Sequence, residues 1–221
     1  MAENIAVIGT SLPHDEVEFL SLHSQNSLLD YDVSVFDPDI GSFYTYPDSY
    51  LGKPSLSDSD SFRLKEKLSH WRQEILGAVR AGKTVFVLLN ESQQVYVATG
   101  QKSFSGTGRN RQVTRHVEAT SNYELVPGGI QVVNSKGTSM KLHSTDNILA
   151  TYWSSLESVS EFRVFVSGEG VRPLVITRTG NKTVGAYLKY KDAPGTLVLL
   201  PYIDFERADF TRITRGGNES W

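Results

Sequence analysis

The chain has 221 residues, with 22 Lys and Arg against 25 Asp and Glu, 39% apolar residues and no cysteine. Without cysteine there is no disulfide framework, no Cys-type zinc site, no iron–sulfur cluster and no thiol nucleophile. A net charge of −3 argues against a body that is a nucleic-acid platform throughout, and the length suits either one large domain or two small ones, burying roughly 70% of the surface the unfolded chain exposes.

Glu3 precedes the short apolar run Ile5-Ala6-Val7-Ile8-Gly9, which is acidic and brief where a signal peptide is basic and longer, so the run is expected to be a first strand. No run approaches the roughly 18 apolar residues of a membrane helix, and a cytoplasmic location without membrane contact is expected. Pro13, Asp15, Glu16 and Glu18 carry first-turn helix chemistry, with Val17, Leu20 and Leu28 as a sparse apolar face, ahead of a second strand at Val33-Ser34-Val35-Phe36-Asp37. Residues 39–60 are irregular and rich in Tyr, Ser, Asp, Gly and Pro, too long for an ordinary connection. Phe62, Leu64, Leu68, Trp71, Ile75, Leu76 and Val79 recur at spacings of three and four and predict a long amphipathic helix, capped by Asp58 or Asp60 and closed at Gly82. Lys83 to Leu89 then form a third buried strand, completing a βαβαβ order.

From Asn90 the pattern changes to alternation and Gly turns, which predict hairpins. Strand fragments are expected at Val95-Tyr96-Val97, Gln112-Val113-Thr114 and Ile130-Gln131-Val132-Val133, a short helix within Asp146 to Leu156, and later strands at Phe162 to Ser167, Pro173 to Arg178, Val184 to Leu188 and Gly195 to Pro201. The expected fold is α/β: a three-layer sandwich with a mostly parallel central sheet, a single domain over 1–221, and a β-hairpin-rich insertion at about 92–145.

The first strand, the Asp30-Tyr31-Asp32 lead into the second, the helix running into Ala81-Gly82-Lys83, and the closing segments Thr183-Val184-Gly185-Ala186-Tyr187 and Gly195-Thr196-Leu197-Val198-Leu199-Leu200-Pro201 together resemble class I glutamine amidotransferase-like domains, which are Rossmann-like, flavodoxin-type modules. Active members carry a cysteine on the turn after the third strand, and a His and a Glu after a late strand. Here that turn reads Asn90-Glu91-Ser92 and the late strand ends Pro201-Tyr202-Ile203-Asp204. A serine in place of the thiol needs a base, an orienting acid and an oxyanion hole, and the Gly-x-Ser-x-Gly signature is absent. The resemblance therefore implies a degenerate member that keeps the scaffold for binding or assembly.

Open α/β sheets place ligands at the C-terminal edge of their strands. The residues expected there are Gly9, Thr10, Ser11 and His14 from the first turn, Asp37 and Asp39 from the second strand, and Asn90, Glu91 and Ser92 from the third. The small-residue turn offers backbone N–H groups to an anion, whereas Asp37 and Asp39 flank Pro38 and also suit turn chemistry. Neither the full dinucleotide nor the Walker fingerprint is present, so no cofactor is expected, and the five histidines do not cluster as metal ligands. Tyr44, Tyr46 and Tyr50 concentrate amphipathic aromatics in the irregular stretch and are interface candidates. Lys102, Arg109, Arg111 and Arg115, with Phe104 among Gly and Ser, form a basic loop able to touch phosphates and stack on a base, or simply a solvated hairpin tip.

Three functional expectations follow. The first is a catalytically inactive amidotransferase-like module that engages a partner protein, a second copy or a small anionic ligand at the sheet edge. The second is a carboxylate-dependent enzyme acting on a nucleotide or sugar-like substrate, with Asp37, Asp39 or Glu91 as general base. The third is nucleic-acid contact through the basic insertion.

Overall fold

Short apolar runs bounded by turn residues become strands, and one segment with a 3.6-residue apolar period becomes the long helix. The computed structural model describes residues 4–10, 17–144, 149–150, 153–158, 160–191 and 193–203. In chain order the elements are β1 (Ile5–Ile8), β2 (Val17–Leu20), β3 (Val33–Phe36), β4 (Asp48–Tyr50), β5 (Lys53–Ser55), α1 (Asp58–Arg80), β6 (Thr84–Leu89), β7 (Gln94–Ser105), β8 (Gln112–Ser121), β9 (Gln131–Gly137), β10 (Met140–Leu142), α2 (Trp153–Glu157), β11 (Ser160–Ser167), β12 (Val171–Thr177), β13 (Thr183–Leu188) and β14 (Thr196–Ile203).

The main sheet runs β10-β12-β13-β14-β6-β3-β1-β2. Its β2-β1-β3-β6-β14 portion is parallel. From β14 outward, β13, β12 and β10 are antiparallel, and β11 pairs antiparallel with the end of β14 and with β9. A second, four-stranded sheet has the order β4-β5-β7-β8.

One face of the central strands, including Ile8, Phe36, Val87, Leu89 and Leu199, packs on α1 through Leu64, Leu68, Trp71, Ile75, Ala78 and Val79. Those helix positions keep the spacing of an apolar stripe. Trp71 is fixed twice: its ring meets Phe36 edge-on at 5.3 Å, and its Nε1 donates to Leu22 O at 2.8 Å. The opposite face, with Val7, Val35, Phe86, Leu88 and Val198, meets Met140, Leu149, Leu156 and Phe162.

These findings correct the expected fold and the family resemblance. Among the described residues the chain is mostly β, with one long helix and a mixed sheet, so it is neither a three-layer α/β sandwich nor a helix-rich Rossmann-like or flavodoxin-like domain, and the class I glutamine amidotransferase-like assignment fails with that architecture. The physical reason lies in the apolar runs. A strand buried on both faces announces that both are covered but not by what, and here much of the cover comes from strands and loops. The segment expected as a first helix contains β2, paired in parallel with β1 from Ile5↔Val17 to Ile8↔Leu20, where Val17 and Phe19 alternate with Glu18 and Leu20.

Other expectations need smaller changes. The long helix is capped by Ser57, whose side chain accepts from Asp60 N, and not by Asp58 or Asp60. The short helix is the five-residue α2. The fragments at 95–97 and 112–114 are parts of two long strands, β7 and β8. Among the described residues, no helix is long and apolar enough to cross a membrane.

Candidate functional site

The parallel strands β1, β3, β6 and β14 end on one edge, bringing Gly9, Asp37, Asn90 and Tyr202 together. Gly9 has φ +88° and sits where a Cβ would collide with the Asp37 carbonyl oxygen. Its N–H donates to Leu20 O at 3.0 Å, and Asp37 N donates to Ile8 O at 2.9 Å. The missing side chain thus lets β1 and β3 close against each other, a use of glycine that requires no ligand. Ser11 and His14 lie outside the described residues.

A polar chain crosses this edge. Asn90 Nδ2 donates to Asp37 Oδ1, and Asn90 Oδ1 accepts from Arg163 Nη1 at 3.2 Å. Arg163 Nε is 2.6 Å from Glu161 Oε1, its guanidinium lies 3.6 Å over the Tyr202 ring, and Lys136 Nζ stands 3.6 Å from the other Glu161 oxygen. Burial holds the Asp37 carboxyl above the usual carboxylate range, opposed by the Asn90 hydrogen bond, assisted by Asp39 and opposed again by Arg163.

The turns beyond the strand ends are tied down in the same way. Buried Asn122 donates to Pro38 O at 2.9 Å and Glu91 O at 3.2 Å, and accepts from Gln93 N at 3.0 Å. Tyr123 donates its hydroxyl to Asn90 O at 2.7 Å, and burial raises its pKa well above that of an ordinary phenol. Asp39 Oδ1 accepts from Gly41 N at 2.8 Å and from Gln93 Nε2 at 2.7 Å, the turn role weighed for it in the sequence. Glu91 is exposed. Ser92 is 7% exposed, and the Asn134 side chain engages its backbone as a strand would, accepting from Ser92 N at 2.7 Å and donating to Ser92 O at 3.1 Å.

Beside this knot an open groove of about 520 Å³ is lined by Gly9, Thr10, Phe19, Leu20, Ser21, Leu22, Asp39 and Ser42. His23, after β2, lies against Phe43 of the Gly41–Phe43 turn with ring centroids 4.1 Å apart and planes tilted by 31°, and its Nε2 is 3.1 Å from Ser42 Oγ. This is a hydroxyl–imidazole contact, and Asp39 does not orient the ring, because its carboxylate is already turned to Gly41 and Gln93. Among the described residues, no three His, Asp or Glu side chains converge as metal ligands.

The aromatic candidates separate. Tyr44 packs against the core, Tyr50 meets Tyr96 edge-on at 4.8 Å, and Tyr46 is 97% exposed with φ +51°.

The basic candidates lie on a two-stranded ribbon formed by β7 and β8, in which every residue from 100 to 114 is exposed. Two extra residues on β7 break the register between Ala98↔Val117 and Lys102↔Arg115, a bulge that redirects the ribbon at its root. Beyond it Phe104 pairs with Val113, and both are more than half exposed. Arg115 Nε is 2.5 Å and Lys102 Nζ 3.5 Å from Asp58 at the start of α1, and Arg115 also donates to Leu56 O. Arg111 lies 4.2 Å over the Phe104 ring, and Arg109 is exposed at the tip.

Sequence reasoning missed Arg163, Glu161, Asn134 and Gln93. Their only signal is a polar side chain within an alternating strand or just after a strand end, which many solvated residues share.

No protein-family model and no curated protein matches the chain. Among solved structures it is similar to a β-galactosidase from Rahnella sp. R3 at 11% identity and a TM-score of 0.38, over 96% of this chain and 30% of that one. The chain thus spans less than a third of that protein, and a likeness so slight fixes neither fold nor activity.

Proposed function

We propose that this protein is a non-catalytic binding module that engages an anionic partner through the β7–β8 ribbon, while the sheet edge holds the fold together. One observation carries the reading: the ribbon is exposed at every residue from 100 to 114 and belongs to a stretch, 92–117, that contains four Lys and Arg and no Asp or Glu. The whole chain has 22 cations and 25 acids, so the remainder stands at −7 against −3 overall. Positive charge concentrated on an unpacked arm of an acidic body attracts anions at that arm and repels them elsewhere.

The edge supports the same division of roles. Asp37, Asn90, Arg163 and Glu161 bond one another, and among the described residues the one charged side chain lining the adjoining groove is that of Asp39, which disfavours a small anion there. A cytoplasmic setting, rich in polyanions, suits the module.

The test is retention on immobilised heparin. The wild type is expected to be held at low salt, and Arg109→Ala with Arg111→Ala to elute earlier with an unchanged melting curve. Failure of the wild type to be retained overturns the anionic-partner reading.

The carboxylate-enzyme reading keeps one observation, the raised pKa of Asp37, since a base needs a pKa nearer neutrality. A nucleotide-induced rise in Tm that is lost in Asp37→Ala would favour it.

A further inference from the structure

We propose that the ribbon's partner is a single-stranded nucleic acid, with Phe104 and Arg111 as its base-stacking platform and Arg109, Arg111 and Lys102 as its phosphate contacts. This rests on the binding-module reading and names the partner class. Three features favour a single strand.

The first is the Arg111 guanidinium lying 4.2 Å over the exposed Phe104 ring. Unpaired bases stack on aromatic faces and on arginine planes, whereas bases in a duplex are already stacked on one another.

The second is the two-sidedness of the ribbon. Cross-strand pairing puts Lys102, Phe104, Val113 and Arg115 on one face, and Ser103, Ser105, Gln112 and Thr114 on the other. A cationic and aromatic face backed by hydroxyls and amides gives both the stacking and the phosphate or sugar contacts of a sequence-tolerant strand binder.

The third is the smallness of the apolar contribution. Phe104 and Val113 are the large hydrophobic side chains exposed on the ribbon, far short of the roughly 800 Å² per partner that a stable protein interface buries. Uniform charge with little apolar area fits a polyanion better than a second copy of the chain. Arg115, engaged by Asp58 and the Leu56 carbonyl, fixes the root of that face and is not counted among the phosphate contacts.

The magnitude follows from Arg109 and Arg111, with Lys102, which also stands 3.5 Å from Asp58, as the third contact. With two to three phosphates neutralised and a slope near −0.7 per contact for single strands, affinity should fall roughly tenfold between about 50 and 200 mM salt. Loss of one stacked base should weaken binding roughly tenfold or more.

The experiment is fluorescence anisotropy with labelled oligo(dT) and oligo(rU) of about 20 nucleotides, a duplex of equal length, and heparin as competitor. The proteins are the wild type, Phe104→Ala, Arg109→Ala/Arg111→Ala, and Phe62→Ala as an exposed aromatic off the ribbon, all matched by thermal melting. The expected result is tighter binding of single strands than of duplex, a roughly tenfold loss for Phe104→Ala on single strands alone, a flattened salt dependence for the double variant, and no change for Phe62→Ala. Equal binding of duplex and single strand, or an unaffected Phe104→Ala, overturns the inference while heparin retention keeps the broader reading. An oligomer that dissociates in the double variant, with no polyanion bound by the wild type, assigns the ribbon to a second copy and overturns both.

Discussion

Gly9→Ala separates the two uses a glycine at a strand end can have. In the ligand reading, the turn after β1 is small so that an anion can approach backbone N–H groups. In the packing reading, it is small because β3 lies against it. The residue has φ +88°, and an added Cβ would overlap the Asp37 carbonyl oxygen, stand 3.2 Å from its carbon and 3.3 Å from Leu22 Cδ1. The obstacle is backbone, tied to β1 by the 2.9 Å bond from Asp37 N to Ile8 O, so it cannot swing aside as a long side chain would. A non-glycine residue in left-handed backbone costs about 1–2 kcal/mol, and forcing an extra carbon into a packed contact adds about 1–3 kcal/mol. The expected loss is therefore about 2–5 kcal/mol, which for a domain of this size lowers Tm by roughly 5–20 °C.

Gly52→Ala supplies the comparison, because Gly52 has φ +76° and nothing within 4 Å of the added carbon, leaving the conformational cost of about 1–2 kcal/mol alone. Urea and thermal unfolding followed by circular dichroism measure both. If Gly9→Ala costs no more than Gly52→Ala, the β1–β3 approach does not require the glycine, and the ligand reading of the turn returns.

Two further predictions concern the tip of the β4–β5 hairpin and the sheet edge. Leu51 and Gly52 form a two-residue loop between paired Tyr50 and Lys53, with φ +50° and +76°, the turn geometry that favours Asn-Gly. Leu51 is 75% exposed, so Leu51→Asn should stabilise the fold by about 1 kcal/mol, and a loss in urea unfolding would mean that the leucine packs on something. Asp37→Asn should raise Tm at neutral pH and lose that gain as the pH falls. The sign follows from the raised folded-state pKa of Asp37: the fold bears the cost of the buried charge above that pKa and is relieved of it by protonation below. A variant less stable than wild type at pH 7 and equal to it in acid would instead assign Asp37 a net stabilising charge.

Much of the scaffold is legible in the residues. Ile5–Ile8, Val33–Phe36 and Thr84–Leu89 are continuous apolar runs and are buried strands in parallel register, and the Leu64-to-Val79 stripe is the buried face of α1. What misleads is polarity with a second physical use. Pro13, Asp15 and Glu16 suit a helix start, yet β2 begins at Val17, directly after Glu16. A sparse apolar face is too weak to favour a helix when the neighbouring edge of β1 is open to pairing. The edge residues were half legible. Asp37 and Asn90 meet as strand ends in a parallel sheet should, but the group joining them to Glu161 is Arg163, more than seventy residues on, and pairing of β11 with both β14 and β9 brings it there. No local pattern encodes such a meeting.

The distribution of charge ties the two regions together. At the sheet edge, opposite charges and amides are brought within hydrogen-bond distance and partly withdrawn from water, where a network is favourable only when every member has a partner; Asp37, Asn90, Arg163 and Glu161 meet that condition. On the ribbon, Asp58 attends to Lys102 and Arg115 at the root, and beyond them no acid follows. Exposed ion pairs of this kind contribute little stability, so their effect is orientational: they hold the root of the arm against the start of α1 and leave Arg109 and the Arg111–Phe104 stack facing solvent. An arm built only for stability would carry acids among its cations, since like charges crowded on a two-stranded ribbon repel one another. Retaining that repulsion in a segment that buries nothing is intelligible when the compensating negative charge arrives with a partner.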